Sequence, residues 1–185
     1  MPQTDAGQLG NPLLPEIASG LCACSTLRRA ARSATQLYDL VLQPTGLKAT
    51  QFIALRTIAK AGELPQWRFA REQALAVETL SRRLAVLRKR GLVSVKIGGN
   101  HGERIYSLTE QGKQLLARAA PYWERAQQRL AHTLGAPELQ LLLRLCDDAV
   151  AAAQEAEHLR ASNGLAVPAR ANGSAGNEGN RSIGY

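Results

Sequence analysis

Apolar residues recur at helical spacing along most of this chain, and the period changes in one place. From Val77 to Arg90 the apolar positions are 77, 80, 84 and 87, a 3-4-3 spacing that draws one stripe along a helix. Thr79, Ser81, Arg82, Arg83 and Val86 fall on the other faces. Gly91 stands where such a helix stops, at the C′ position. The period then drops to two. Leu92-Val93-Ser94-Val95-Lys96-Ile97 alternates as a strand does, Gly98-Gly99-Asn100 turns the chain, and Arg104-Ile105-Tyr106-Ser107-Leu108 returns. A helix buried on one side and basic on the other, followed by a two-stranded ribbon, has the form of a winged helix-turn-helix, whose recognition helix enters a DNA groove.

Further helices flank this segment. Ser19 is placed to cap a helix from about Gly20 to Leu42, with Leu21, Cys24, Leu27, Ala31, Ala34, Tyr38 and Val41 among its apolar positions. Pro44-Thr45-Gly46 breaks it. A second helix runs from about Ala49 to Ala61, with Phe52, Leu55, Ile58 and Ala59 on one side and Gly62 at its end. Pro65 pre-sets a short third helix, about Gln66 to Gln73. After the ribbon, Thr109 caps a long helix to about Leu134, striped by Leu115, Leu116, Ala119, Tyr122, Trp123, Ala126 and Leu130, with a kink predicted at Pro121. Gly135 and Pro137 separate it from a last helix carrying Leu139, Leu142, Leu143, Cys146, Ala149, Val150, Ala153 and Ala156.

The predicted fold class is mainly α: a winged helix-turn-helix of about six helices and a two-stranded wing, with a helical dimerisation lobe. Residues 1–15 form a flexible arm, 16–43 and 110–160 the dimerisation lobe, 44–109 the winged helix-turn-helix domain, and 161–185 a tail too poor in apolar surface to fold. The long apolar helices at the two ends have little of their own chain to cover them. A homodimer covers them, and its two-fold axis sets two recognition helices one DNA turn apart, roughly 34 Å.

Composition sharpens this picture. The 185 residues carry a formal net charge of +8, and the excess is uneven. Residues 66–104 hold nine Lys and Arg against three Glu, whereas 136–160 hold two Arg against five acids. Positive charge concentrated on the candidate recognition element points to double-stranded DNA as partner. Aromatic content of 4% leaves little for stacking single strands. No apolar run approaches the ~18 residues of a membrane span, and residues 1–20 lack the pattern of a signal peptide, so a cytoplasmic protein is expected. An enzyme is not expected. His101, His132 and His158 are isolated, Asp147 and Asp148 point ~100° apart on a helix, and no glycine loop is built to cradle phosphate, so no cofactor is anticipated.

In order and spacing these motifs resemble the MarR family of bacterial winged-helix regulators, over about residues 16–160. Leu108-Thr109-Glu110-Gln111-Gly112 is similar to that family's Leu-Thr-x-x-Gly after the wing. Leu84-x-x-Leu87-x-x-Arg90-Gly91-Leu92-Val93 is similar to its recognition-helix exit, and Leu47-x-x-x-Gln51-Phe52-x-x-Leu55 to its second helix. The resemblance implies a dimeric repressor released from its operator by a small molecule, an oxidant, or a metal or metalloid; the alternative is a general, architectural DNA-binding protein. Three positions depart from the family pattern: Ala74 replaces the turn glycine, Ala76 an acidic or Asn cap, and Asn100-His101-Gly102 the wing Asp-x-Arg. Arg104 shares a strand face with position 102 and is expected to take over the wing contact.

The expected DNA contacts are Thr79, Ser81, Arg82 and Arg83 in the groove, with Val86 as a candidate for a thymine methyl. Arg88, Lys89 and Arg90 are expected to meet phosphate or to solvate the helix end. The resemblance also implies an effector pocket, its lining drawn from Cys24, Arg28, Tyr38 and Phe52. The three cysteines admit three readings. In the organic-hydroperoxide branch of the family a reactive Cys lies 27 residues before the Gln matching Gln51, which is Cys24, and a Tyr lies 14 residues after it, which is Tyr38; a second Tyr of that branch is Ala49 here. Cys22, expected in the first turn of the first helix, stands where free N–H groups favour an anion. Alternatively Cys22, Cys24 and Cys146 form a three-thiolate site for a soft metal or metalloid, although residues i and i+2 of a helix point ~200° apart. In the third reading Cys24 and Cys146 are small apolar core residues.

Overall fold

A computed structural model describes residues 22–98 and 102–162. The chain divides into two compact units, residues 1–139 and 140–185. The first contains α1 (Ala23–Leu42), a single 3-10 turn (Gln43–Thr45), α2 (Ala49–Ala61), β1 (Leu64–Pro65), α3 (Gln66–Glu72), α4 (Val77–Lys89), β2 (Val93–Gly98), β3 (Glu103–Leu108) and α5 (Glu110–Leu134). The described part of the second unit is one helix, the continuation of α6 (Ala136–Ser162), with Leu141, Leu142, Leu143, Leu145, Val150 and Leu159 exposed. The predicted arm, most of the predicted tail and the turn residues 99–101 lie outside the described residues.

The two-stranded wing is part of a three-stranded antiparallel sheet. β2 and β3 pair antiparallel with Val93 opposite Leu108 and Val95 opposite Tyr106, and β1 adds to the other edge of β3 with Leu64 opposite Tyr106. β1 escapes a periodicity search because it has only two residues and one is proline; Pro is tolerated there because the strand is at the edge.

Helices α1, α2 and α5 pack around one apolar core with α3, α4 and the sheet. Leu42, Leu47, Phe52, Leu55, Ile58, Leu64, Phe69, Leu80, Leu84, Leu87, Leu92 and Tyr106 are its buried centre. Val77, the first member of the predicted α4 stripe, is instead 42% exposed. A helical side chain leans over the turn that precedes it, and the first residue of a helix has no such turn. The start of α1 also differs from expectation. The helix begins at Ala23, and Cys22 is its N-cap, in extended conformation and with no side-chain cap. At the start of α2, Asp39 of α1 supplies the missing cap: its Oδ1 accepts from the Ala49 N–H at 2.7 Å.

Both helices of the helix-turn-helix end in the same closing motif. At α4, the Gly91 N–H donates to the Arg88 carbonyl and the Leu92 N–H to the Leu87 carbonyl. At α3, the Ala74 N–H donates to Arg71 and the Leu75 N–H to Ala70. Each motif needs a left-handed residue at its pivot. Gly91 takes φ +70° freely, but Ala74 is held at φ +47°, which costs an L-residue about 1 kcal/mol. Ala74→Gly relieves that strain but adds glycine's entropic cost of about 0.4–1 kcal/mol, so it is expected to raise the melting temperature by no more than about 2 °C. Differential scanning calorimetry checks this, and a midpoint lowered by several degrees contradicts it.

Thr109 caps α5 as expected, its Oγ1 accepting from the Gly112 N–H at 3.1 Å. The same hydroxyl donates to the Gly91 carbonyl at 2.6 Å, and the Thr109 N–H donates to the Leu92 carbonyl. Thr109 thereby ties the start of α5 to Gly91 and Leu92 at the end of α4. Pro121 lies inside α5 without dividing the helix.

Candidate nucleic-acid interface

α4 is anchored by Leu80, Leu84 and Leu87, each at most 2% exposed. That anchoring turns Arg82, Arg83, Arg88 and Lys89 to solvent. Among the described residues none of these four, nor the exposed Arg104 on β3, is paired with a carboxylate. Other cations nearby are neutralised: Arg68 by Glu72, Lys96 by Glu63, Lys48 by Asp39 and Lys113 by Glu110. Unpaired positive charge in this region therefore collects on α4 and the adjoining strand.

The fold brings two of the expected contacts together. Arg88 on α4 and Arg104 on β3 line one small cleft of about 100 Å³, with Ser81, Ala85 and Tyr106 between them. Two guanidinium groups around one concavity, with no carboxylate to balance them, suit a phosphate. On the other flank of α4, Arg83 and the 49%-exposed Val86 line a cleft against Thr50, Gln51 and Ala54 of α2.

One of the expected groove contacts carries an internal duty. Thr79 and Ser81 are half-buried, and the Ser81 Oγ accepts from Gln66 Nε2 at 2.5 Å. Gln66, buried to 9% exposure, also reaches the Val77 carbonyl at 3.5 Å. It fastens α3 to α4, and nothing in the hydrophobic pattern marks it beyond a polar residue on an inward face. Arg90 departs from expectation. Its guanidinium donates to the Gly46 carbonyl at 3.2 Å and to Gln51 Oε1 at 3.3 Å, so it turns from the phosphate face to brace the end of α4 against α2. The same Gln51 oxygen accepts from the Lys48 N–H, which gives Gln51 of the Leu47-x-x-x-Gln51-Phe52 motif a structural task.

Of the predicted effector-pocket residues, the structure gathers two. Phe52 is buried and stacks on Trp123 of α5, with ring centroids 6.1 Å apart. The Arg56 guanidinium lies over the Trp123 ring, 4.1 Å from its centre. Tyr38 is half-buried and donates to Gln127 Oε1 at 2.6 Å. Burial pushes its phenol above the ordinary tyrosine range, partly offset by the positive charge of Arg56. Arg28 is exposed and lies ten residues before Tyr38 on α1, about 15 Å along the axis. Trp123, Gln127 and Arg56 surround these two side chains, and the sequence pattern does not single them out as their neighbours.

The cysteines are free; Cys22 and Cys24 are exposed and Cys146 is half-buried. Cys24 is thus not a core residue within this chain, contrary to one of the three readings. Cys24 and Tyr38 are both on α1, about 21 Å apart along it, so they do not meet within one chain. With Cys22 outside the helix as N-cap, the angular objection to its acting with Cys24 no longer holds. Among the described residues there is no group of three or more His, Cys, Asp or Glu able to hold a metal ion. None of the described helices is long and apolar enough to cross a membrane.

No family model matches the sequence, and no curated protein matches it. Solved structures do. The transcriptional regulator MosR of M. tuberculosis, crystallised in complex with DNA, is 33% identical, with 74% of this chain and 98% of that one covered at a TM-score of 0.67. MosR without DNA is 34% identical over 72% of this chain and 98% of its own, at 0.61. A mutant MarR of E. coli complexed with operator DNA shares the fold at 20% identity, covering 77% of this chain and 99% of that one at 0.62. The Leu-Thr-x-x-Gly tie, the recognition-helix exit and the winged fold occur together with that level of identity over nearly the whole length of MosR, and the chain belongs to the MarR family, whose members are transcriptional regulators and not enzymes.

Proposed function

We propose that this protein is a DNA-binding transcriptional repressor that acts as a cytoplasmic homodimer. The observation that carries the reading is the face of α4: three buried leucines hold it down, and four cations with no carboxylate partner among the described residues point away. Arg82 and Arg83, with Thr79 and Ser81, read base edges in the major groove, and Arg88, Lys89 and Arg104 contact phosphate. MosR, solved with DNA, supports the assignment. Residues 44–109 serve as the DNA-binding domain, and the helices on either side of it as the dimerisation lobe. Exposed Leu27 and Leu40 on α1 and the exposed leucines of α6 support a second copy as their cover.

The response to a signal runs through the thiols. A hydroperoxide oxidises the Cys24 thiolate to a sulfenate and leaves as its alcohol; a second thiol then displaces water or hydroxide to form a disulfide. The exposure of both Cys22 and Cys24 at the start of α1 supports this over a core role. The test is to select duplexes from a random-sequence pool with the purified protein and titrate them with wild type and Cys24→Ser. Selected duplexes should bind at least about a thousandfold more tightly than random ones at physiological salt. Peroxide, arsenite, copper and salicylate are then added in turn. Release by peroxide in wild type but not in Cys24→Ser supports the redox reading; release by another agent in both proteins moves the sensor elsewhere. Equal affinity for selected and random duplexes makes the protein a general DNA binder.

A further inference from the structure

Trp67 is the feature that the proposed contacts leave unexplained. It is the second residue of α3, and its indole is 55% exposed. Beside it, Val77 at the start of α4 is 42% exposed. Together with Gln66, Gly102, Glu103 and Arg104 they line an open cleft of about 380 Å³ between the two helix starts and the turn end of the wing. Arg71 stands over the indole, its guanidinium carbon 6.0 Å from the ring centre.

We infer that this cleft receives the sugar-phosphate backbone of double-stranded DNA, with the Trp67 indole against a deoxyribose. Three observations favour this occupant, and the inference rests on the DNA-binding reading above. The cleft is continuous with the proposed interface: Arg104 belongs both to it and to the cleft that Arg88 lines, and Val77 opens the recognition helix. Its walls are amphipathic, with an aromatic face and a valine on one side and Arg104 on the other. Glu103, also in the wall, disfavours a bare phosphate at the floor, so the sugar faces the indole and the phosphate lies toward Arg104. An exposed tryptophan suits such a site because its apolar ring covers the sugar while its one N–H can donate to a phosphate oxygen.

The chain has two tryptophans, so Trp67 is read by difference. Wild type and Trp67→Phe are titrated with a random-sequence duplex at low salt. A label on the duplex reports binding, and acrylamide quenching reports indole accessibility in the same samples. The quenchable fraction of wild-type emission should fall on binding and the change should vanish in Trp67→Phe. Trp67→Ala should weaken binding about fivefold on selected and random duplexes alike, the factor expected for losing roughly half an indole's apolar burial. Its salt dependence should be unchanged, because a sugar contact releases no counterion. A duplex that binds while Trp67 stays equally quenchable, with Trp67→Ala binding as wild type does, overturns the inference and leaves the DNA reading intact. Trp67 already protected in the DNA-free protein in a concentration-dependent way assigns the cleft to a second copy and overturns it too. If neither duplex binds, it is the DNA reading that fails.

Discussion

Replacing Gly112 by alanine is expected to lower the melting temperature by about 10 °C, corresponding to roughly 3 kcal/mol of lost stability. Gly112 is the third residue of α5, and its own backbone is unexceptional. The constraint is space. A Cβ built there falls 2.1 Å from the Leu92 carbonyl oxygen and 3.0 Å from its carbon. Neither atom can yield alone. That oxygen accepts from the Thr109 N–H, and the Thr109 hydroxyl in turn bonds Gly91 and Gly112. Moving α5 outward breaks the cap, and moving Leu92 pulls on the closing motif of α4. The gain in helix propensity from Gly to Ala, about 1 kcal/mol, offsets only part of this. Gly46→Ala is the control. Gly46 is left-handed at φ +68° and ψ 16°, and a Cβ there meets only the end of the Arg90 side chain at an ordinary 3.9 Å, so only backbone strain of about 1 kcal/mol is at stake. Thermal unfolding of both variants decides the matter. A Gly112→Ala midpoint no lower than that of Gly46→Ala shows that the α4–α5 junction gives more easily than this geometry allows.

The same junction shows what was legible in the residues and what was not. The period of α4, Thr109 as a cap and Gly91 as a helix stop are local rules, written within four residues of the place where they act. The Leu-Thr-x-x-Gly motif was readable as a pattern, but its cause, a close approach to Leu92, joins elements twenty residues apart. The details of the site were lost for the same reason. Arg90 reads as one of three consecutive cations and only the packing of α4 on α2 singles it out as a brace. Arg56 and Gln127 join Tyr38 and Trp123 through tertiary contacts that no periodicity encodes. Asp39 caps a helix that begins ten residues later. What is local was foreseeable, and what depends on two elements meeting was not.

That distinction carries into the second large effect, on DNA binding. Arg82→Ala is expected to weaken binding to a selected duplex by about 1–3 kcal/mol, while binding to random DNA changes little beyond the loss of one charge. Arg88→Ala and Arg104→Ala should behave differently. Both side chains line one cleft that presents charge and no base-reading geometry. Each substitution should weaken selected and random duplexes alike and reduce the slope of log affinity against log salt by about 0.9. Because the two arginines serve one concavity, the double variant should lose less than the sum of the single losses. Titrations at several salt concentrations measure all of this. An Arg82→Ala loss that is equal on selected and random DNA would place Arg82 on the backbone and move base reading to another residue of α4. None of these side chains is needed for the α4 core contacts, which Leu80, Leu84 and Leu87 make, so the three variants should melt close to wild type, and a changed affinity then reports the interface and not the fold.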